Sequence, residues 1–276
     1  MKRESIKLDR RKLRLAKVDL DEKIKDEETY ERRLKALQLR MLEIQQAYLR
    51  QGRRAILVLE GWDTAGKGGL IRRLSSRLDP RHCKVWPIGA PEAGEQARHF
   101  LYRFWLRLPE PGIIAVFDRS WYGRVLVERV EGLARKSEWR RAYHEINELE
   151  CMLVDAGVRI VKVFLHITPE EQLARFEERV AVPYKRWKLT EEDLRNRARW
   201  DDYVVAIEEM FDRTSSRHAP WHLVAANFKW HGRIRALDII ASTLAKGVDL
   251  EPPPAEPKIV AAIKALKRGR RKRGKA

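Results

Sequence analysis

AILVLEGWDTAGKGG, residues 55–69, is the stretch from which the fold can be read. Ala55 to Leu59 is a short apolar, β-prone run bounded by Gly61. Four residues separate Gly61 from Gly66-Lys67, and a helical pattern opens at Lys67 and continues to Leu78. A Gly-x4-Gly-Lys string between a strand and a helix is the setting of a phosphate loop. Glycine lets backbone N–H groups turn inward around phosphate oxygens, and the helix N-terminus adds its positive dipole end. Gly61, Ala65, Gly66, Gly68 and Gly69 are therefore candidate phosphate-binding positions, and Lys67 is a mobile cation for the phosphates being bridged. The Ser or Thr that usually follows the lysine and ligates Mg²⁺ is replaced by Gly68. A substitute oxygen ligand is expected, and Asp63 inside the loop is the candidate, because Mg²⁺ takes hard oxygens and often only one or two carboxylates.

Working outward, Leu34, Leu37, Met41, Ile44 and Tyr48 recur at helical spacing and predict an amphipathic helix over 28–50. Strands are predicted at 83–86, 113–117, 158–167 and 221–225, and helices at about 95–106, 193–211 and 234–244, with two more before 158. Thr168-Pro169-Glu170-Glu171 reads as a helix start, with Thr as N-cap and Pro in the first turn. Strands alternating with helices predict an α/β fold: a three-layer sandwich with a central parallel sheet. The strand at 113–117 runs directly into Asp118. Ligands gather at the carboxyl ends of such strands, so Asp118 is the second candidate metal ligand, followed closely by Arg119, Arg124 and Arg129.

The chain has 276 residues and is 44% hydrophobic, enough for one large core with a small lid and tails. Its longest apolar runs are too short to span a bilayer, and the charged N-terminus is followed by no apolar signal region, so a cytoplasmic protein without a membrane partner is expected. Cys83 and Cys151 form neither a disulfide framework nor a zinc site, and are expected as reduced core thiols. With 58 Lys+Arg against 40 Asp+Glu the net charge is +18, which draws polyanions without choosing among them. Three regions follow: a charged extension (1–27), the main domain (28–250) and a Pro-rich linker with a mobile basic tail (251–276).

Taken together, GWDTAGKGG (61–69), FDRSWYGR (117–124), RVAVPYKRWKLT (179–190) and RARWDDY (197–203), with Thr214 and Ala219-Pro220-Trp221, resemble the family-2 polyphosphate kinases over about 28–244. The resemblance implies a P-loop kinase fold with a helical lid over about 179–200. It implies Mg²⁺-dependent transfer, with Mn²⁺ as an alternative, between inorganic polyphosphate and a nucleoside mono- or diphosphate. By residue, it implies that Asp63, Lys67, Asp118 and Arg119 are essential, and that Arg179, Lys185 and Lys188 belong to the lid that closes over phosphates. Diphosphate-using relatives commonly carry Asn at the position of Gly123; the run from Tyr122 to Arg129 looks more like the AMP-using type, which is often built as two fused halves. The resemblance also implies a homo-oligomer, often a tetramer, for which helix 28–50 offers a surface; that helix can equally close the chain's own core.

Independently of any family, the second pKa of a nucleotide's terminal phosphate lies near ~6, so its attacking oxygen is largely ionised at neutral pH. The difficulty is bringing two anions together, and two carboxylates for metal, Lys67, Arg119, Arg124 and a cationic lid answer it. Arg72, Arg73, Arg77, Arg103 and Arg107 are candidates for a basic channel. Trp187 and Tyr184 suit either base stacking or lid packing, and the histidines form no metal spacing. Rival readings are an ATP-using kinase of the same fold, a nucleic-acid-binding P-loop ATPase suggested by charge alone, and a non-catalytic phosphate-binding scaffold. Nucleic acid is the weaker partner because the basic tail is separable from the domain.

Overall fold

The structure is a computed structural model that describes residues 7–9 and 12–273. Five strands, β1 (Arg54–Gly61), β2 (Cys83–Pro87), β3 (Ile114–Asp118), β4 (Val158–His166) and β5 (Trp221–Ala225), form one sheet. Every pairing is parallel and the order is β2-β3-β1-β4-β5. Ala55 to Leu59 and Ile114 to Phe117 are completely buried, as continuous apolar runs must be when helices cover both faces. The helices are α1 (Glu27–Gln51), α2 (Lys67–Ser75), α3 (Ala93–Gln96), α4 (Tyr102–Trp105), α5 (Val127–Val130), α6 (Lys136–Asp155), α7 (Pro169–Ala181), α8 (Glu191–Ala198), α9 (Trp200–Thr214), α10 (Lys229–Ala245) and α11 (Pro257–Arg273).

α1, α2 and α10 pack together on one side, while α5, α6 and α9 form the other layer. α1 is capped by Asp26, whose side chain accepts from Thr29 N, and it ends at Gly52 in the left-handed conformation. It buries Tyr30, Leu34, Met41, Ile44 and Tyr48 in this chain's own core. The predicted Thr168 cap is present, its hydroxyl accepting from Glu171 N at 3.1 Å. None of the helices of the described residues is long and apolar enough to cross a membrane.

Three expectations need correction. The helix expected at 95–106 is two single turns, α3 and α4. Glu95 caps α3 and pairs with Arg103 and Arg107 at 3.1 Å each, partners that a straight helix would hold about 12 and 18 Å away. The helix expected at 193–211 breaks at Arg199 into α8 and α9. The tail, for which no helix was expected, carries one, α11, to Arg273; its last three residues, like the first six of the chain, lie outside the described residues. The N-terminal extension is partly docked: Leu15 is buried in the core, and Arg14 pairs with Glu208 and Asp212.

Candidate active site

The strand order places β1 beside β3, and the ends of both strands open onto the phosphate loop. Gly61 leaves β1 at φ 147°, where a Cβ would lie 2.5 Å from the Leu165 carbonyl oxygen, so β4 leaves room for glycine alone. Gly66 turns the chain at φ 112° to start α2. Between them Thr64 sits at φ 65°. Arg119, just past β3, sits at φ 66°, and these are the two non-glycine residues with positive φ among the described residues. Backbone strain of this kind persists only where surrounding bonds hold it, and it gathers at functional sites.

Those bonds can be traced. Arg119 N donates to Leu59 O at 3.1 Å, and the next residue, Ser120, donates its hydroxyl to Glu60 Oε1 at 2.7 Å. The Arg119 guanidinium then reaches Asp63 Oδ1 at 2.9 Å. Lys67 Nζ donates to the carbonyls of Gly61 and Trp62 at 2.7 and 3.1 Å, which leaves its third proton for a ligand. Asp63, Lys67, Asp118 and Arg119 are thus within electrostatic reach of one another. Burial would raise the Asp63 carboxyl, but Lys67, Arg119 and the Asn196 amide hold it below the usual range. Burial lowers the Lys67 ammonium, with Asp63 partly offsetting it, and burial raises Glu60.

The lid closes on this centre. Asn196, on α8, donates to Asp63 Oδ2 at 2.9 Å and accepts from the Tyr203 hydroxyl at 2.9 Å. Glu192, one turn earlier, lies 3.5 Å from Arg119. Trp62 stacks on Trp200 with centroids 3.5 Å apart and donates to His166 Nδ1 at 2.9 Å. Gln172 of α7 donates to the Asp63 carbonyl at 3.3 Å. A cleft of about 590 Å³ opens beside these groups, with Gly123, Leu126, Val127, Phe164 and Ile207 as its apolar wall. A smaller cleft of about 370 Å³ lies on the other side of the loop, lined by Ala65, Gly66, Lys229 and Arg233 among others.

Other expected residues are placed elsewhere. Arg124 pairs with Glu128 at 3.1 Å and lies over the Phe100 ring. Arg179 donates to the Lys188 carbonyl and Lys185 pairs with Glu178, so the lid cations bind one another's segment rather than the loop. Arg103 and Arg107 are spent on Glu95, which removes them from a free channel. Tyr184 and Trp187 are 77% and 76% exposed, which rules out the lid-packing role. Gly68 and Gly69 form the first turn of α2, and Arg233 approaches Gly69. Neither cysteine is in a disulfide; Cys83 is buried as expected, but Cys151 is only half-buried and its thiol faces Asp155, so it is not a core thiol. Glu60, Ser120, Gln172, Glu192, Asn196 and Tyr203 were not anticipated. Ser120 and Tyr203 lie in quoted strings without an assigned role, and Glu60 carried a signal of its own, a carboxylate ending an otherwise apolar strand directly before the loop.

Among the described residues no cluster of three or more His, Cys, Asp or Glu could hold a metal. Two carboxylates nonetheless fit one hard cation that also takes phosphate and water. The Asp118 carboxylate has no hydrogen bond or ion pair among the described residues, and each Asp63 oxygen holds one protein donor, which leaves lone pairs free.

A parallel sheet, a glycine loop with its lysine, and an Asp–Arg pair at the next strand end define a P-loop phosphotransferase architecture. The sequence model of the Polyphosphate kinase 2 (PPK2) family matches residues 24–250, and the chain belongs to that family. It is 51% identical over 191 residues to the polyphosphate:AMP phosphotransferase of Pseudomonas syringae, covering 69% of this chain and 38% of that protein. It is 43% identical over 209 residues to ADP-polyphosphate phosphotransferase 2 of Rhizobium meliloti, covering 76% and 68% respectively. The crystal structure of polyphosphate kinase 2 from Arthrobacter aurescens superposes with a TM-score of 0.84 at 34% identity, over 92% of this chain and 93% of that one. The chain therefore spans about two fifths of the P. syringae protein but nearly the whole of the A. aurescens structure.

Proposed function

We propose that this chain transfers a phosphoryl group from inorganic polyphosphate to AMP, forming ADP. The observation that carries the reading is the ion pair between the loop residue Asp63 and Arg119, with Lys67 behind it, in a family member half identical to a polyphosphate:AMP phosphotransferase. The attacking phosphate oxygen is already largely ionised at neutral pH, so no strong base is required. The residues have two tasks, to hold two anions in line and to spread charge as the phosphoryl group moves. The free proton of Lys67 and the loop N–H groups bind the donor end, and Arg119 spans the gap to the acceptor. Asp63 and Asp118 would hold Mg²⁺, or Mn²⁺ in its place, which supplies charge neutralisation and Lewis acidity at the phosphate oxygens. The acceptor's nucleoside suits the apolar cleft walled by Leu126, Val127, Phe164 and Ile207, while Lys229 and Arg233 line the cleft on the donor side.

AMP is favoured as acceptor because Gly123, at a position where diphosphate-using relatives commonly have Asn, lines the acceptor cleft. ADP is the second reading, favoured by the R. meliloti relative, of which this chain covers 68%. Two cysteines outside any disulfide and a nucleotide substrate suit a cytoplasmic enzyme. Phosphorus NMR of the purified chain with Mg²⁺ and long-chain polyphosphate, given AMP or ADP in separate tubes, decides. ADP arising from AMP without ATP supports the first reading, ATP arising only from ADP selects the second, and no transfer in either tube defeats both.

A further inference from the structure

α11 lies outside the residues that match the family, and the transfer chemistry uses none of it. Nine Lys and Arg fall between Lys258 and Lys275, no acid follows Glu256, and these nine account for half of the net +18. Lys258, Lys264 and Lys267 are exposed. The chain leaves the domain at the end remote from the active site. Arg53 donates to Gly247 O, Gln51 to Asp249 O and Arg50 to Glu251 O, which ties residues 247–251 to the start of β1. The phosphate loop is at the other end of β1, about 26 Å away along eight residues of strand. Glu251-Pro252-Pro253-Pro254-Ala255-Glu256 then acts as a semi-rigid spacer, and α11 is itself about 25 Å long.

We propose that α11 is a polyphosphate-binding exosite that holds long donor chains while their ends are consumed at the phosphate loop. This rests on the polyphosphate reading above. From Lys267 onward the tail carries what a bare phosphate chain needs, while the exposed Ile259, Ile263 and Leu266 lie in the earlier turns of α11. Residues 251–276 include no aromatic side chain for base stacking and no Asn or Gln for reading base edges, so RNA and DNA would meet only its charges. The large apolar residues Ile259, Ile263 and Leu266 all precede Lys267, so the most basic stretch has no apolar face with which to enter a lipid surface. A polyanion that reaches from the loop to α11 engages both sites at once, and the second contact benefits from a high effective concentration. A donor too short to reach α11 from the loop gains nothing.

The test uses the full chain with Lys267→Gln, Arg268→Gln, Arg270→Gln and Arg271→Gln. Its control has the same charge loss at exposed positions of the domain, Arg32→Gln, Lys35→Gln, Arg40→Gln and Lys136→Gln. Titration with fluorescent long-chain polyphosphate, without nucleotide, should show about tenfold weaker binding and a shallower salt dependence for the tail variant only. In the transfer assay KM for long-chain donor should rise by a similar factor, with kcat unchanged and KM for tripolyphosphate unchanged. Equal weakening in the control, equal weakening with tripolyphosphate, or unaltered long-chain binding overturns the exosite. So does a tail variant that loses only RNA or anionic-vesicle binding. A wild-type chain that binds polyphosphate through α11 but transfers nothing would remove the activity and leave the exosite standing; active transfer that the tail substitutions leave untouched would do the reverse.

Discussion

Asp63 holds two protein donors at once, Arg119 on one oxygen and Asn196 on the other, at 2.9 Å each. Asp63→Asn removes the charge that Lys67 and Arg119 stabilise while keeping the shape. It should lower kcat by about 100-fold or more at saturating Mg²⁺, since one preorganised electrostatic contact in such a site is worth that much. Near-full activity would end its assignment as metal holder. Gly123→Asn is sterically tolerable, because a Cβ there meets only Val127 Cγ1 at 3.8 Å. By narrowing the cleft it should shift the ratio of AMP to ADP phosphorylation towards ADP, as read in a competition assay. His166 accepts from Trp62 and is pushed down to about 4 by burial, so it is neutral when folded. The unfolded chain takes up a proton near pH ~6.5, and stability is therefore full above that pH and is lost as pH falls toward 4, by on the order of 3 kcal/mol. Urea midpoints across that window should fall less steeply for His166→Gln. Loop residues were readable because glycine, lysine and aspartate at fixed spacing have one common physical use. Asn196 and Glu192 were not, since their partners lie 133 and 73 positions away and no local pattern announces them.

At the scale of elements, strands were the legible part: β1, β3 and β4 are mostly apolar runs buried almost throughout, which leaves a plain signal, and all five strands, the largely exposed β2 included, were anticipated to within a few residues. Helices that bend back on themselves were not. Apolar spacing over 95–106 suits one helix, but it cannot reveal that Glu95 recruits Arg103 and Arg107 from beyond a bend. The same holds for α8, which separates from α9 so that its polar side faces Asp63 and Arg119 while Trp200 stacks on Trp62. Glu192 is an anion resting on the guanidinium that the proposed reaction assigns to the anionic substrates. Both partners are substantially exposed, so the contact is worth at most about 1 kcal/mol. Glu192→Gln should therefore lower KM for the anionic substrates by roughly fivefold at most, with kcat little changed. Asn196→Ala should behave differently, lowering kcat through a misdirected Asp63. If steady-state kinetics showed the two variants alike, α8 would be a passive cover.

Across the whole molecule, the central sheet, two helices of one layer and the turn that follows Arg119 meet at one buried charge. Lys162, in the middle of β4, is completely buried. Its three protons go to Glu150 of α6 at 2.7 Å, the Tyr122 hydroxyl at 2.9 Å and the carbonyl of Thr214, the last residue of α9, at 2.7 Å. Glu150 in turn accepts from Trp121 and Tyr122, which follow Arg119 and Ser120 directly. Burying an ion pair is costly, and what makes it tolerable here is that every ammonium proton has a partner. Removing one member leaves the other charged and unpaired in the core. Lys162→Met should cost about 3–5 kcal/mol, seen as a lower urea midpoint with unchanged slope. Lys162→Met with Glu150→Leu should recover much of that, because apolar packing replaces the pair without a stranded charge. Activity separates a stabilising role from a positioning one. If the network also fixes the turn after Arg119, the double variant, restored in stability, should still show reduced kcat with near-normal KM. Full kcat in that stable double variant would mean that the Glu60–Ser120 and Arg119–Leu59 bonds hold the arginine without help from the charge beneath it.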